Sequence, residues 1–337
     1  MKTLVMTGGG TAGHIMPCLA LLPELRKYFD RIIFVGGEGM EKEIVPKVMP
    51  FYSVPTTKLY RRHVYKNVTV PFILSRGVSA AVKILRQEGA SVVFSKGGYA
   101  SLPACLAAKK LSVPVVVHES DYTLGVANKL VSRFAALTMT SFIETKGGVC
   151  VGNPVREEIL SGNAERAKRK YDVGEKPILL VVGGSSGAMA INDAIHRGLD
   201  DLLEKYDVVH VCGKKGDASV RKKGYVPLSY AEDIADLYAA SDVVVSRGGS
   251  NALSELAALG KKSVIIPLPK GESRGDQVLN AESYRRKGFF TVLPQEELCV
   301  ETLLDAVEKT LKKPQKKSDV VGTNEVIARK IASVMRV

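Results

Sequence analysis

Short apolar runs rich in β-branched residues recur along the chain, each followed by glycines or small polar residues. In the first half they are Leu4–Met6, Ile32–Val35, Val92–Phe94, Val115–Val117, Leu137–Thr140 and Val149–Val151. In the second half they are Ile178–Val182, Val208–Cys212, Val243–Ser246 and Val264–Ile266. Stretches of helical composition fall between them, from about Pro17 to Tyr28, Asn192 to Glu204, Asn251 to Leu259 and, at the end, Asn324 to Met335. Continuous apolar strands that alternate with helices predict parallel sheets covered on both faces. The pattern pauses at Gly152–Arg156, and the polar segment Glu157–Lys176 reads as a crossing into a second domain. The fold expected is α/β, with two doubly wound domains at 1–158 and 159–337 and a last helix that can pack on either. Ligands bind such sheets at the carboxyl ends of their strands.

Those strand ends carry most of the chemistry. Gly8-x-Gly10-x-x-Gly13 follows the first strand and formally matches the dinucleotide fingerprint, but Glu38 lies behind Gly36-Gly37 and is poorly placed as its acidic partner. His14 comes directly after the last glycine, where an imidazole is either a candidate general base or a group that packs at a helix start. Ser95–Pro103, reading SKGGYASLP, follows the third strand; His118-Glu119-Ser120-Asp121 follows the fourth, with Asn128 in the next helix. In the second half Gly183–Ala188 (GGSSGA) follows one strand and Gly248-Gly249 another. Ser250 suits an N-cap there, and Gly260 suits the helix end. This turn is either an ordinary βαβ crossover or a phosphate site on a helix N-terminus, with Glu255 placed to accept from a ribose diol. Asp276, Gln277 and Asn280 follow the next strand.

Composition narrows the classes. The chain has 337 residues, 45% of them apolar, and no apolar run approaches the ~20 residues of a membrane span. The opening MKTLVMTGGG runs from strand to glycines and does not read as a signal peptide. Five scattered cysteines without a C-x-x-C pair fit a reducing compartment. Net charge is +13, and residues 1–160 hold 20 Lys+Arg against 11 Asp+Glu. Lys58 to Arg86 carries seven basic residues and no acid, interleaved with apolar ones. With no tryptophan, 6% aromatics and no nucleic-acid motif, an anionic membrane surface or anionic substrate is the expected partner, not nucleic acid. No metal-ligand spacing, D-x-D or P-loop is present, so neither metal nor cofactor is expected, and a leaving phosphate would be stabilised by backbone N–H groups and a helix dipole.

GGGTAGH, SKGGYAS, HESDYTLGVANK, VGNPVR, VVGGSSGA and SRGGSNALSEL…DQVLNA fall in the order found in the MurG-type glycosyltransferases, over nearly the whole chain. The chain resembles that family. The resemblance implies a GT-B fold of two Rossmann-like domains facing a central cleft. It also implies inverting transfer of GlcNAc from UDP-GlcNAc to lipid I, giving lipid II.

By position, the resemblance assigns Thr11, Ala12 and Gly13 to the diphosphates and His14 to the reacting centre; for the base that removes the acceptor proton, His14 is the choice and Glu119 the reserve. Asp121, Asn128, Arg156 and Ser185 match substrate positions, and Ala231 would meet the uracil. Ser250, Asn251, Ala252, Leu253, Ser254 and Glu255 would hold phosphates and ribose, and Gln277 the sugar hydroxyls. Asp121 stands where the family usually has Asn, so its charge would repel a diphosphate unless paired. Peripheral attachment to the cytoplasmic face of the plasma (inner) membrane is implied, with Lys58, Arg61, Arg62, Lys66, Phe72, Ile73 and Arg76 as the expected contacts. Other cell-wall synthesis proteins are expected partners. A UDP-GlcNAc 2-epimerase, a nicotinamide oxidoreductase and a non-catalytic nucleotide-binding protein are the rival readings.

Overall fold

A computed structural model describes residues 1–58, 64–184, 187–214, 216–271, 275–318 and 323–335, with the side chains of Val64 and Lys66 outside that set. The described residues form two compact units, Met1–Val155 with Gly322–Val337, and Arg156–Val321.

The first unit holds a parallel sheet of β1 (Thr3–Thr7), β2 (Arg31–Gly36), β3 (Phe51–Ser53), β4 (Ala90–Ser95), β5 (Val115–Glu119), β6 (Leu137–Thr140) and β7 (Val149–Cys150). Their order is β3-β2-β1-β4-β5-β6-β7. The second holds β8 (Ile178–Val182), β9 (Asp207–Val211), β10 (Tyr225–Leu228), β11 (Val243–Ser246), β12 (Ser263–Ile265) and β13 (Thr291–Val292), ordered β10-β9-β8-β11-β12-β13. In each sheet the order reverses at the centre, between β1 and β4 and between β8 and β11. Registers put Thr7 beside Ser95 and Ser246 beside Val182, so the paired strands end at one level and their following loops start together. A doubly wound sheet opens its ligand crevice at such a reversal. All four glycine loops found in the sequence leave from these two reversals.

Buried apolar residues stand on both faces of the central strands, as helices on both sides require. The strands missing from the sequence pattern, β3, β10 and β13, are short sheet-edge strands, and β10 contains Pro227, which the ladder tolerates only at an edge.

Three expectations about helices change. The first helix is Ala12–Ala20, so Pro17 lies inside it and His14 belongs to its first turn. A proline prefers a helix's first turn, which draws a sequence reading too far along. The helix expected over Asn192–Glu204 is two, Met189–Arg197 and Leu199–Lys205, broken at Gly198, whose bare Cα approaches Val300. Third, Asn67–Gln87 is long and apolar enough by length and composition to cross a membrane, although no such run was expected. Its Gly77, Ala81, Val82 and Leu85 are buried, and a Cβ at Gly77 would lie 2.2 Å from the Pro55 carbonyl oxygen, so this helix packs closely on the first unit.

The last helix, Thr323–Ser333, belongs to the first unit, where Ile327, Ala328 and Ile331 fill the core with Leu4, Met6 and Leu21. Asn324 fastens its start: its amide accepts from Val155 N (3.1 Å) and donates to the carbonyls of Val155 (2.7 Å) and Ala20 (3.2 Å). Ile331 is fully buried. Ile331→Ala is expected to cost about 2–5 kcal/mol, read as a lower urea midpoint of the first unit.

Candidate functional site

The glycine loop after β1 is built around a residue that sequence reading passed over. Glu41, fully buried, accepts from Gly10 N and Gly37 N, each at 3.1 Å, and a Cβ on Gly9, Gly37 or Gly39 would crowd its carboxylate or nearby groups. The second loop lies against the first: a Cβ on Gly98 (φ +81°) would sit 2.4 Å from the Gly9 carbonyl oxygen and 3.3 Å from His14 Nδ1. His14 is thus placed beside both loops, half-buried, with Nδ1 3.1 Å from the hydroxyl of Thr11. Thr11 is extended (φ −150°) at the helix N-cap, and Ala12 and Gly13 open the helix, so their N–H groups belong to its donor-rich end. Thr11 and Gly13 are exposed.

Glu119 is 5% exposed and its oxygens are already engaged: one accepts from Asp121 N (3.1 Å), the other from Gly125 N and Asn128 Nδ2 (2.8 Å each). The carboxylate shapes the loop after β5, which removes it as the reserve base. Asn128 is corrected likewise. It is 3% exposed, donates to Glu119 and lies under Gly97, so it supports the loop instead of facing a ligand.

Beneath these loops lies Lys96, 1% exposed. Its Nζ donates to His118 Nδ1 (2.6 Å) and Ser120 Oγ (2.6 Å), and stands 3.4 Å from Asn153 Oδ1; His118 Nε2 donates to the Gly152 carbonyl (2.8 Å). Burial, then the Lys96 charge, hold His118 neutral by pushing it well below its ordinary range. Burial pushes Lys96 down to about 8, opposed by Cys18, Glu119 and Asp121. The Asp121 carboxylate, whose repulsion of a diphosphate was the concern at this position, therefore has a buried cation to answer it.

In the second unit, Gly248-Gly249 leads from β11 into helix Ser250–Leu259, which stops at Gly260 in the left-handed region (φ +68°). Gly249 is the N-cap, so Ser250 is the first helical residue and not the cap. The turn rests on the following helix, Asp276–Arg286: a Cβ at Gly248 would lie 2.6 Å from the Gln277 carbonyl oxygen, and Asn280, fully buried, donates to the Gly248 carbonyl (3.2 Å). Gln277 turns its side-chain oxygen to Leu268 N (3.0 Å), which leaves its NH2 group as the part able to meet a sugar. Glu255, 9% exposed, is held by Arg156, whose Nε and Nη2 both lie 2.9 Å from Oε1. The structure thus joins two residues that sequence reading placed on one ligand. Ser250, Leu253 and Ser254 are buried, Asn251 and Ala252 half-buried, and Ala231, 9% exposed, precedes helix Ile234–Ala240. Ser185 lies outside the described residues.

Residues 4–140 match the glycosyltransferase family 28 N-terminal domain, and residues 178–333 the family's C-terminal domain. The chain belongs to glycosyltransferase family 28. One relative of this family 28 chain, from Geobacillus thermodenitrificans, is named UDP-N-acetylglucosamine–N-acetylmuramyl-(pentapeptide) pyrophosphoryl-undecaprenol N-acetylglucosamine transferase. It is 45% identical over 91% of this chain and 90% of its own. A protein of the same name from Geobacillus kaustophilus is 41% identical over 99% of this chain and 98% of its own. Among solved structures, MurG of Acinetobacter baumannii matches with a TM-score of 0.74 over 99% of both chains at 22% identity. A UDP-GlcNAc 2-epimerase from Neisseria meningitidis, bound to UDP-GlcNAc, matches with 0.68 over 99% of this chain and 100% of its own at 13% identity. These likenesses establish the GT-B fold, which transferase and epimerase share.

Two outcomes test the family 28 half-site built on the first unit. Between about pH 8 and 10.5 the unfolded chain keeps the Lys96 proton and the folded chain does not, so stability gains across that window and Lys96→Met abolishes the gain. Urea midpoints at about pH 7 and about pH 9.5 read it; an unchanged difference in the variant refutes the buried ammonium. Gly98→Ala forces the two glycine loops apart and is expected to slow turnover by roughly tenfold or more, measured with melting as a control.

Proposed function

We infer that this chain is an inverting hexosyltransferase that moves GlcNAc from UDP-GlcNAc to the muramyl 4-hydroxyl of undecaprenyl-pyrophosphoryl-MurNAc-pentapeptide (lipid I), giving lipid II. The observation that carries this reading is the 41–45% identity, over nine-tenths or more of both chains, to proteins that bear this activity as their name. Glycine loops at both strand reversals supply the anion-binding backbone the reaction needs.

In the displacement, the acceptor oxygen bonds to the anomeric carbon as the bond from that carbon to the UDP phosphate breaks, and the hydroxyl proton passes to a base. His14 is the base. In the tautomer whose Nδ1–H donates to Thr11 Oγ, Nε2 carries the lone pair that takes the proton. The charge that grows on the leaving diphosphate is met by the donor-rich start of helix Ser250–Leu259. Glu255 takes the ribose diol; because Arg156 neutralises it, its charge does not oppose that diphosphate. Gln277 meets the GlcNAc hydroxyls through its NH2 group. His14→Ala is expected to lower turnover by about 10²–10⁴-fold with melting unchanged, and activity within a few-fold of wild type would dismiss His14.

Labelled UDP-GlcNAc separates this reading from the epimerase: UDP release that needs a lipid I analogue supports transfer, whereas UDP-ManNAc made without acceptor overturns it.

The acceptor is a lipid, and we place the enzyme peripherally on the cytoplasmic face of the plasma (inner) membrane. Tyr65, Val68 and Phe72 are 70%, 82% and 67% exposed around the start of helix Val70–Gln87, and Arg76 stacks over the Phe72 ring at 5.9 Å. Lys58 is exposed and Ile73 half-buried; Arg61 and Arg62 lie outside the described residues, as does the side chain of Lys66. Apolar groups ringed by cations suit an anionic leaflet, at about 1 kcal/mol per basic residue. Other cell-wall synthesis proteins are partners on this reading. Phe72→Ser with Arg76→Ser is expected to reduce sedimentation with anionic liposomes; equal sedimentation of variant and wild type would move the contact elsewhere.

A further inference from the structure

At the β10–β9 edge of the second unit's sheet, four donor side chains converge that the transfer reaction does not use, with Asn192 beside them. His210, in β9, and Cys212, just beyond it, are both fully buried and, two residues apart on an extended segment, share one face. Asn192 and His196 lie four apart on helix Met189–Arg197 and so share the face that meets them. Tyr225 opens β10, the neighbouring strand. The His196, His210 and Cys212 donor atoms all lie within 4.8 Å of one another. The Tyr225 hydroxyl stands 2.9 Å from His210 Nδ1 and 3.1 Å from His196 Nε2.

These spacings have a chemical reading. Ligands at Zn–N ≈ 2.0–2.1 Å and Zn–S ≈ 2.3 Å form a tetrahedron whose edges are roughly 3.3–3.6 Å. The two edges to the Tyr225 oxygen, 2.9 and 3.1 Å, fall a few tenths of an ångström below that range. The outer partner is also in place. Asn192 Nδ2 donates to the Cys212 carbonyl (2.9 Å), which fixes its amide and turns Oδ1 to His210 Nε2 at 3.0 Å. His210 therefore carries its proton on Nε2 and offers the Nδ1 lone pair to the cluster, the arrangement by which metal-bound imidazoles are oriented. Two imidazoles with one thiolate select zinc-class ions over magnesium or calcium.

We propose that His196, His210 and Cys212, with the Tyr225 oxygen as fourth donor, form a binding site for a divalent ion of the zinc class. On binding, Cys212 and Tyr225 each release a proton to solvent, and the ion accepts the two oxygen and sulfur lone pairs together with those of the imidazoles. Half-buried His196 is the side from which the ion enters. A Cβ on Gly187 would lie 2.4 Å from the Cys212 carbonyl oxygen, so the backbone at Gly187 packs directly against the end of this site.

The test uses the full chain with the exposed thiols of Cys150 and Cys299 replaced by serine, titrated with cobalt and then zinc. The expected result is a near-ultraviolet thiolate-to-cobalt band that saturates at one equivalent, is discharged by zinc, and accompanies a zinc-dependent rise in melting temperature. Cys212→Ser loses the band. His196→Gln, at the half-exposed position where folding is least at risk, weakens binding by roughly tenfold or more while transfer activity persists. Absence of the band in the parent, its survival in Cys212→Ser, or unchanged affinity in His196→Gln overturns the site.

Discussion

Glycine loops bind anions because nothing hides their N–H groups, and for the same reason they cannot hold their own shape. In the first unit that shape is imposed from below by buried carboxylates. Glu41 gathers Gly10 and Gly37, and Glu119 gathers Asp121 and Gly125. Replacing either acid would leave those backbone donors unpaired. Glu119 also fixes Asn128, which lies under Gly97 of the loop after β4, and with that loop and the first held, Gly98 approaches Gly9 and His14 stands beside them. The second unit solves the same problem with a neutral brace, Asn280 on Gly248, while its acid, Glu255, pairs with Arg156.

Lys96 belongs to the same design from the opposite side of the charge balance. Lys96 places a cation near Glu119 and Asp121, while among the described residues its ammonium bonds to neutral partners, His118, Ser120 and Asn153. A buried ammonium without a direct carboxylate contact is expensive, which is why it titrates so low. The cation in return offsets the charge of Glu119 and Asp121.

The fold was legible because its central strands are long apolar runs and its glycines stand where strands end. Edge strands escaped because two or three residues carry no period, and Pro227 argues against a strand anywhere but an edge. The helix start after β11 was legible through the glycines and Ser250, one residue off the observed cap. The braces were not. Glu41 reads as one acid in an ordinary amphipathic helix, and only the folded chain reveals that it lies under a loop thirty residues earlier. Glu119 and Asn128 misled for a related reason: the residue types that bind sugars are those that pair with backbone, and spacing alone does not say which they do.

Asn324 carries a consequence for how the chain is assembled. Because it ties the last helix to Val155 and Ala20, the second unit is an uninterrupted insert within the first. During synthesis Arg156–Val321 is complete before the helix that closes the earlier unit has emerged. The order of maturation is thereby reversed relative to the usual N-terminal-first sequence. Until the final residues are made, the face formed by Leu4, Met6 and Leu21 waits for Ile327 and Ile331, and the half-site built on that sheet matures last.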